Sequence, residues 1–200
     1  MAKLTINTKP GTPVAGGFFA RALWINGRPH AVIVSNKEEG EFTAQIWNGD
    51  LKRVAGALSF YDGLANTRAM ARAGSEIAKR VLKLRIGGVD GWCIGARDQT
   101  EVLYRVFKPG VYTCDQWRSG DNPSSIPPGY PYAKKDMVQT AVKAFRKGGA
   151  EALEEEAYWT STQYGPGSDC AWYLRFYDGY QSYLLKSAEL RVRVLRMISI

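Results

Sequence analysis

The C-terminal third of the chain alternates between apolar and polar residues, and this pattern limits the fold more than any other feature. Large apolar side chains occupy every second position in the range Cys170–Phe176, and residues 190–194 repeat the alternation. Successive side chains of a β-strand point to opposite faces of the sheet, so a period of two indicates strands. Asp178-Gly179 follows the first run and suits a hairpin turn. We therefore predict a C-terminal β region over residues 158–198.

A second local signal lies near the N-terminus. Asn26-Gly27 separates two apolar runs, and both positions of a type I′ turn need a positive φ, which Asn and Gly tolerate well. Pro29 cannot donate a hydrogen bond to a neighbouring strand, so it fits the start of the returning strand. This arrangement predicts a β-hairpin over residues 17–35.

Three stretches show helical periodicity, over about residues 75–84, 97–107 and 136–147. In each stretch, apolar residues recur at spacings that share one face of a helix. Ser75 is a good N-cap for the first helix, whereas Ala96 is a poor cap for the second. The Pro-, Gly- and Ser-rich sequence between the second and third stretches predicts a long ordered loop.

Length and composition fit a single domain over residues 1–200, because no internal repeat or linker divides the chain. No apolar run approaches the roughly 20 residues that a membrane span needs. The N-terminus also lacks the apolar core of a signal peptide. We therefore expect no membrane insertion, and synthesis in the cytoplasm of the producing cell.

Few residues are suited to catalysis or to metal binding. His30 is the one histidine, so Ser–His or Cys–His catalysis could use only this residue. A zinc site needs four nitrogen or sulfur ligands, for which the chain offers few candidates. The three cysteines show no C-x-x-C spacing, and we expect free buried thiols rather than a disulfide framework. Neither a phosphate-binding loop nor a G-x-S-x-G motif is present. The sequence therefore favours a protein that is not an enzyme and needs no cofactor.

The net charge of +8 is unevenly distributed. Residues 65–85 hold six basic residues and one acid, and residues 186–200 hold four basic residues and one acid. A basic helix face can bind nucleic acid, but no recognition motif accompanies it. We interpret the excess as a solvated face and expect no specific nucleic-acid partner.

The segment Tyr158–Leu185 has the composition of a recognition surface. It holds nine aromatic residues among 28, with three charged ones, and is rich in Ser, Thr, Gln and Gly. Tyrosine and tryptophan offer large contact areas at low entropic cost. We assign Trp159, Trp172 and Phe176 to the core. We expect one cluster of ligand-binding residues, formed by Tyr164, Tyr173, Arg175, Tyr177, Tyr180, Gln181 and Tyr183.

Several spaced motifs carry a family resemblance. In the C-terminal region they are Tyr158–Tyr164, Ala171–Tyr173, Phe176 with Asp178–Tyr180, and Leu190–Arg196. Together they resemble the "YWSST…AW…F.DG…R.VR" signature of C-type-lectin-like domains in bacterial surface proteins and phage tail-associated proteins. Gly88–Trp92 with Arg97–Leu103 is similar to the "G..DW.LPTRDEL" segment of that family, with Cys93–Ala96 where the family has Arg-Leu-Pro-Thr. Pro10–Phe19 resembles the start of a phage subgroup, and the C-terminal and middle motifs cover roughly residues 75–198.

The resemblance implies an α+β, C-type-lectin-like fold with antiparallel sheets, two to three helices and long loops. It also implies that the Tyr-rich C-terminal face contacts the ligand. The Glu-Pro-Asn calcium loop and the Trp-Asn-Asp triplet of sugar-binding members do not occur here, although Asp169 and Asp178 could support a structural calcium ion. Formylglycine-generating members need a late cysteine pair, and only Cys170 is present there, so that activity is not expected.

The function implied by the resemblance is that of a phage virion protein, associated with a tail fibre or baseplate, that recognises a bacterial surface glycan or protein. The alternative is a structural role as a decoration, connector or assembly protein that contacts other virion proteins or forms a homo-oligomer such as a trimer. In that alternative, the basic C-terminal strand and the loop 118–132 would form the interface.

Overall fold

Strands dominate the computed structural model, which describes residues 3–112 and 120–200. The strands are β1 (Pro13–Val14), β2 (Gly17–Ile25), β3 (Arg28–Ser35), β4 (Glu41–Ile46), β5 (Trp92–Ile94), β6 (Ser125–Ile126), β7 (Ala157–Gln163), β8 (Cys170–Arg175), β9 (Gln181–Leu185) and β10 (Glu189–Ser199). The α-helices are α1 (Lys37–Gly40), α2 (Gly63–Arg72), α3 (Glu76–Val81) and α4 (Arg97–Phe107). Two single turns of 3₁₀ helix cover Lys134–Asp136 and Lys143–Phe145.

The long strand β10 is the centre of the sheet. The described strands form a ten-stranded sheet with the path β1-β2-β3-β10-β7-β8-β9, in which β4 and β5 also pair with β10 and β6 pairs with β2. Strand β10 runs antiparallel to β3, β4 and β5 but parallel to β7, which it meets at the Arg191–Tyr158 bridge. It therefore joins the N-terminal hairpin to the C-terminal unit β7–β9, and β9 lies at one end of the path.

The expected α+β, C-type-lectin-like fold class is wrong for this structure, which is β-rich. Of the described residues, strands hold 33% and helices 19%, and the helices are short, with 11 residues in α4. The sheet is mixed rather than antiparallel, because β7 and β10 are parallel. The difference arises because β10 pairs with four other strands, while one predicted helix does not form and another is shortened.

The prediction of a helix over residues 136–147 is wrong. Val138, expected on its buried face, is 61% exposed, whereas Phe145 is buried and stacks on Phe107 with ring centroids 3.8 Å apart. The Thr140 N–H and hydroxyl both donate to carbonyls at the C-terminal end of α4. The apolar spacing in this range therefore reflects irregular chain packed beside α4 and not an amphipathic helix.

The other local predictions agree more closely with the structure. Strands β2 and β3 form the N-terminal hairpin, and its turn residues Asn26 and Gly27 have φ values of 50° and 74°. Helix α4 has the predicted bounds, and α3 is shorter than predicted. Ser75 caps α3 by accepting a hydrogen bond from the Ala78 N–H. These features depend on neighbouring residues, which explains why local patterns predict them.

The start of α4 is tied to β7, although Ala96 cannot cap it. The side-chain oxygen of Gln99 accepts a hydrogen bond from the Ala96 N–H at 2.9 Å. The Thr162 hydroxyl, on β7, accepts one from the Arg97 N–H at 3.0 Å. Free N–H groups at a helix start need such acceptors. Helix α4 is therefore fixed against the strand that leads to the Tyr-rich segment.

Two buried apolar clusters stabilise the sheet. One contains Trp47, Trp92 and Trp159, and the other contains Phe107 and Phe145. Burying aromatic side chains of this size removes a large apolar area from water, at roughly 25 cal/mol per Å². The assignment of Trp159 to the core is confirmed, since it is 2% exposed.

Candidate functional site

The predicted ligand-binding residues do not form one cluster, because the register of β8 and β9 separates them. Trp172 pairs with Tyr183, and Leu174 pairs with Gln181. Residues directly opposite each other point to the same face of a sheet. Tyr183 and Gln181 therefore share a face with Trp172 and Leu174, and the expectation that they join Tyr173 is wrong.

The first group lies on and beside β9, the strand at the end of the sheet path, and we call it the aromatic edge. It consists of Tyr164, Trp172, Tyr183, Leu184 and Leu185. The rings of Tyr164 and Tyr183 stack with centroids 3.7 Å apart and planes at 11°. Both rings meet Trp172 edge-on, at 5.6 and 6.0 Å. The buried indole thus supports two tyrosine rings that are themselves accessible, Tyr183 being 42% exposed.

Sequence reasoning missed two members of the aromatic edge, Leu184 and Leu185. They are 41% and 45% exposed. Strand β9 ends the sheet path, and within residues 3–112 and 120–200 only β8 pairs with it. Such a strand presents unpaired backbone groups on its outer side, and apolar side chains there mark an interaction site. The available signal was the unbroken apolar run Tyr183–Leu185, which alternation does not explain.

A buried lysine holds the end of β9 in place. Lys186, directly after β9, is fully buried, and its ammonium donates to the Lys52 carbonyl at 2.7 Å, to Gln163 Oε1 at 2.8 Å and to the Ser168 carbonyl. The ammonium also lies 4.9 Å from the centre of the Trp47 ring. Burial lowers the pKa of Lys186 to about 8. These bonds hold the end of β9 against the residue that precedes Tyr164.

The second group surrounds the loop between β8 and β9, and we call it the Arg175 turn. It consists of Tyr173, Arg175, Tyr177, Asp178 and Tyr180. Arg175 donates from Nε to Asp178 Oδ1 at 2.8 Å, and its guanidinium carbon lies 5.2 Å from the centre of the Tyr180 ring. Tyr177 is 41% exposed and stacks on Tyr112 with centroids 5.0 Å apart. Tyr173 is half-buried, and burial raises its pKa.

Gln181, predicted to contact the ligand, is buried instead. It is 2% exposed, and neither polar atom of its side chain has a hydrogen-bond partner among the described residues. It points to the same face as Leu174, beneath the surface. A ligand on the surface therefore does not reach it without rearrangement of β9.

The basic C-terminal strand is paired within the molecule. Arg193 donates to Glu41 Oε2 at 2.9 Å and to Glu151 Oε2 at 2.8 Å. Arg191 contacts Glu41 Oε1 at 3.2 Å and Glu156 Oε2 at 2.8 Å. The interpretation of these charges as a solvated face is wrong for this strand, because the fold itself uses them.

The long loop, of which residues 120–132 are described, is held by α4. The Glu101 carboxylate is fully buried and accepts hydrogen bonds from Arg105 Nε at 2.9 Å, Asn122 Nδ2 at 2.6 Å and the Tyr132 hydroxyl at 2.8 Å. Burial raises the pKa of Glu101, and the Arg105 charge opposes this. Glu101, in the middle of α4, thus has a structural role in ordering the loop.

The cysteines and acids do not assemble into a site. Among the described residues, no three His, Cys, Asp or Glu side chains come together to hold a metal ion. Cys93 is buried, with its pKa raised to about 12 by desolvation, and Cys170 is half-buried; both are free thiols. Cys114 lies outside the described residues. None of the helices in the described ranges has the length and apolar character needed to cross a membrane.

Comparison with known proteins leaves the chain without an assigned family. Neither a protein-family model nor a curated protein sequence matches it.

Proposed function

We propose that this chain is a non-enzymatic recognition protein of a phage virion, belonging to a tail fibre or baseplate, and that it binds a glycan or protein on the bacterial surface through the aromatic edge. The observation that carries the proposal is the stacked pair of Tyr164, which follows β7 and is half-buried, and Tyr183, which is 42% exposed on the edge strand β9. The virion setting rests on the resemblance of the C-terminal motifs to phage tail-associated proteins.

The chemistry of the aromatic edge suits recognition. Its two tyrosine rings are already stacked against each other and against Trp172, so binding costs little further side-chain entropy. Tyrosine faces contact sugar rings and anchor protein epitopes equally well, which leaves both ligand classes in the proposal. Leu185 extends the apolar area on the face of Tyr183, and Leu184, opposite Ala171, adds exposed apolar area on the other face of β9.

The test is the binding of fluorescently labelled protein to a panel of intact bacterial strains, with and without EDTA. Saturable binding to a subset of strains supports receptor recognition. Loss of that binding with EDTA would show that a divalent ion takes part. Absence of binding to every strain, with folded protein at high concentration, counts against the proposal.

Variants separate the two groups of predicted residues. Replacing Tyr164 and Tyr183 with alanine should reduce cell binding, whereas Tyr177→Ala in the Arg175 turn should leave it unchanged. Trp24→Ala is a matched control, because Trp24 is 45% exposed on β2, near the end of the sheet path opposite to β9. If Tyr177→Ala abolishes binding and the edge variant does not, the Arg175 turn is the site.

The structural alternative is favoured by the same free strand. An apolar edge strand can pair with a strand of a second copy or of another virion protein. A stable trimer in solution that dissociates when Leu184 is replaced with lysine would support this decoration or connector role. Arg191 and Arg193, paired internally, do not belong to that interface.

A further inference from the structure

A cavity that is remote in sequence from the aromatic edge is lined by basic residues. It has a volume of about 670 Å³ and lies between β2, the end of α4 and the loop that follows β6. Lys9, Arg21, Arg105 and Lys135 contribute four positive charges to its lining, and Asp136 contributes one negative charge. Its volume is that of a small-molecule site.

Arg21 is the central feature of this cavity. Its side chain is partly buried, and within the described residues it has neither a hydrogen bond nor an ion pair. Burial lowers the pKa of Arg21, and the Arg105 charge lowers it further, although Glu101 opposes this. The pairing of β2 with β3 shifts register between Phe19 and Arg21, and such bulges redirect side chains. A partly buried guanidinium without an anion costs free energy that a bound anion would recover.

The acids nearby do not neutralise Arg21. The Glu101 carboxylate is bonded to Arg105 at 2.9 Å. The Asp136 carboxylate accepts a hydrogen bond from the Ala133 N–H at 2.8 Å and lies 3.9 Å from Arg105 Nη1. Lys9 and Lys135 are exposed and, like Arg21, form no ion pair in the described parts of the chain. The cavity therefore holds an excess of positive charge.

The rest of the lining is flat and apolar. Tyr130 is 75% exposed, and Pro10, Pro128 and Pro131 lie with it around the cavity. Arg105 Nη2 donates to the Tyr130 carbonyl at 2.8 Å, which fixes that part of the loop. An exposed ring beside cations fits a ligand with both an apolar face and a negative charge, as a sugar with an acidic group has.

We infer that this cavity is a binding site for an anionic sugar residue, in which Arg21 holds the carboxylate or phosphate and Tyr130 contacts the sugar ring. Lys9 and Lys135 add long-range attraction that salt would screen. The inference does not rest on the proposed function, since it concerns other residues and another ligand contact.

The test is an NMR titration of ¹⁵N-labelled protein with glucuronic acid, glucose 1-phosphate, glucose and inorganic phosphate. For a single sugar residue we expect a Kd of about 1 mM for the acidic sugars. Shifts should be saturable and confined to residues lining the cavity. Arg21→Gln should weaken binding at least tenfold, and added salt should weaken it for the unaltered protein.

Arg53→Gln is the matched control, because Arg53 is exposed and has no bond in the described residues; it should bind like the unaltered protein. Circular dichroism checks that Arg21→Gln is folded, which we expect because Arg21 makes no hydrogen bond. Equal binding of glucose, unchanged binding by Arg21→Gln, or inorganic phosphate binding as tightly as glucose 1-phosphate would each overturn the inference. Cell binding by the Arg21 variant reports separately on the aromatic edge.

Discussion

Replacing Arg193 with methionine should destabilise the protein strongly, because this guanidinium joins three separate segments. It lies on β10 with a side chain that is 1% exposed. It donates twice to the Ser35 carbonyl, at 3.1 and 2.8 Å, and once each to Glu41 and Glu151. Methionine keeps the apolar stem and removes all four bonds.

The expected loss of stability depends on the carboxylates that the substitution leaves without their partner. Removing one partner of a buried ion pair costs about 3–5 kcal/mol, because the remaining charge is desolvated and unpaired. Glu41 would keep Arg191 at 3.2 Å and the Tyr158 hydroxyl at 3.1 Å, which places the loss toward the lower end of that range. For a chain of this length, each kcal/mol lowers Tm by about 2–4 °C, so a loss of about 3–4 kcal/mol should lower Tm by about 6–16 °C.

The assay is thermal unfolding followed by circular dichroism, with Arg191→Met as the matched control. Arg191 is on the same strand and also bonds to Glu41, but its side chain is 19% exposed and its second partner, Glu156, is 60% exposed. The Arg191–Glu156 pair is partly exposed and contributes about 0–1 kcal/mol, and the buried Glu41 would keep its bond to Arg193, so this variant should lose no more than about 4 °C. Equal losses for the two variants, or a loss below about 2 °C for Arg193→Met, would refute the reasoning.

Two further predictions concern the frame that positions the aromatic edge. Gly63→Ala should lower the free energy of unfolding, measured with denaturant, by about 1–3 kcal/mol, because the added Cβ would lie 2.6 Å from the Ile94 carbonyl oxygen. Gly49→Ala is the control and should not destabilise the protein, because the space around Gly49 is open. Equal effects of the two substitutions would contradict this prediction. The pKa of Lys186 is lowered to about 8, so the folded protein releases this proton before the unfolded chain does, and the free energy of unfolding should rise with pH between 8 and about 10.4. A Lys186→Met variant should show a smaller rise, because burial also lowers the pKa of Lys108 to about 8 and that residue titrates in the same range; identical pH profiles for both proteins would contradict the assignment.

The parts of the structure that depend on neighbouring residues could be predicted from the sequence. The Asn26-Gly27 turn adopts the positive φ values that these residue types tolerate, and Ser75 caps α3 as expected. Helix α2 is not among the predicted helices, although the Asp62 side chain accepts a hydrogen bond from the Ala65 N–H and caps it.

The parts that depend on long-range pairing could not be predicted. The burial of Arg193 requires Glu41 and Glu151, which lie 152 and 42 residues away. The exposure of Leu184 and Leu185 depends on β9 ending the sheet path. The face of Tyr183 is different, because a two-residue Asp178-Gly179 turn would already place Tyr183 opposite Leu174 and thus on the face of Trp172, where it lies. The sequence could therefore predict Tyr164 and Tyr183 of the candidate site, but not its leucines.

The most direct test of the central claim is the affinity of labelled protein for one responsive bacterial strain, measured with the unaltered chain and with the Tyr164→Ala, Tyr183→Ala double variant. Loss of central aromatic contacts typically costs at least about 2 kcal/mol, so we predict a Kd at least about thirtyfold higher, with Tm changed by a few degrees at most. Trp24→Ala should bind like the unaltered protein. Unchanged affinity of a folded double variant would contradict recognition through the aromatic edge.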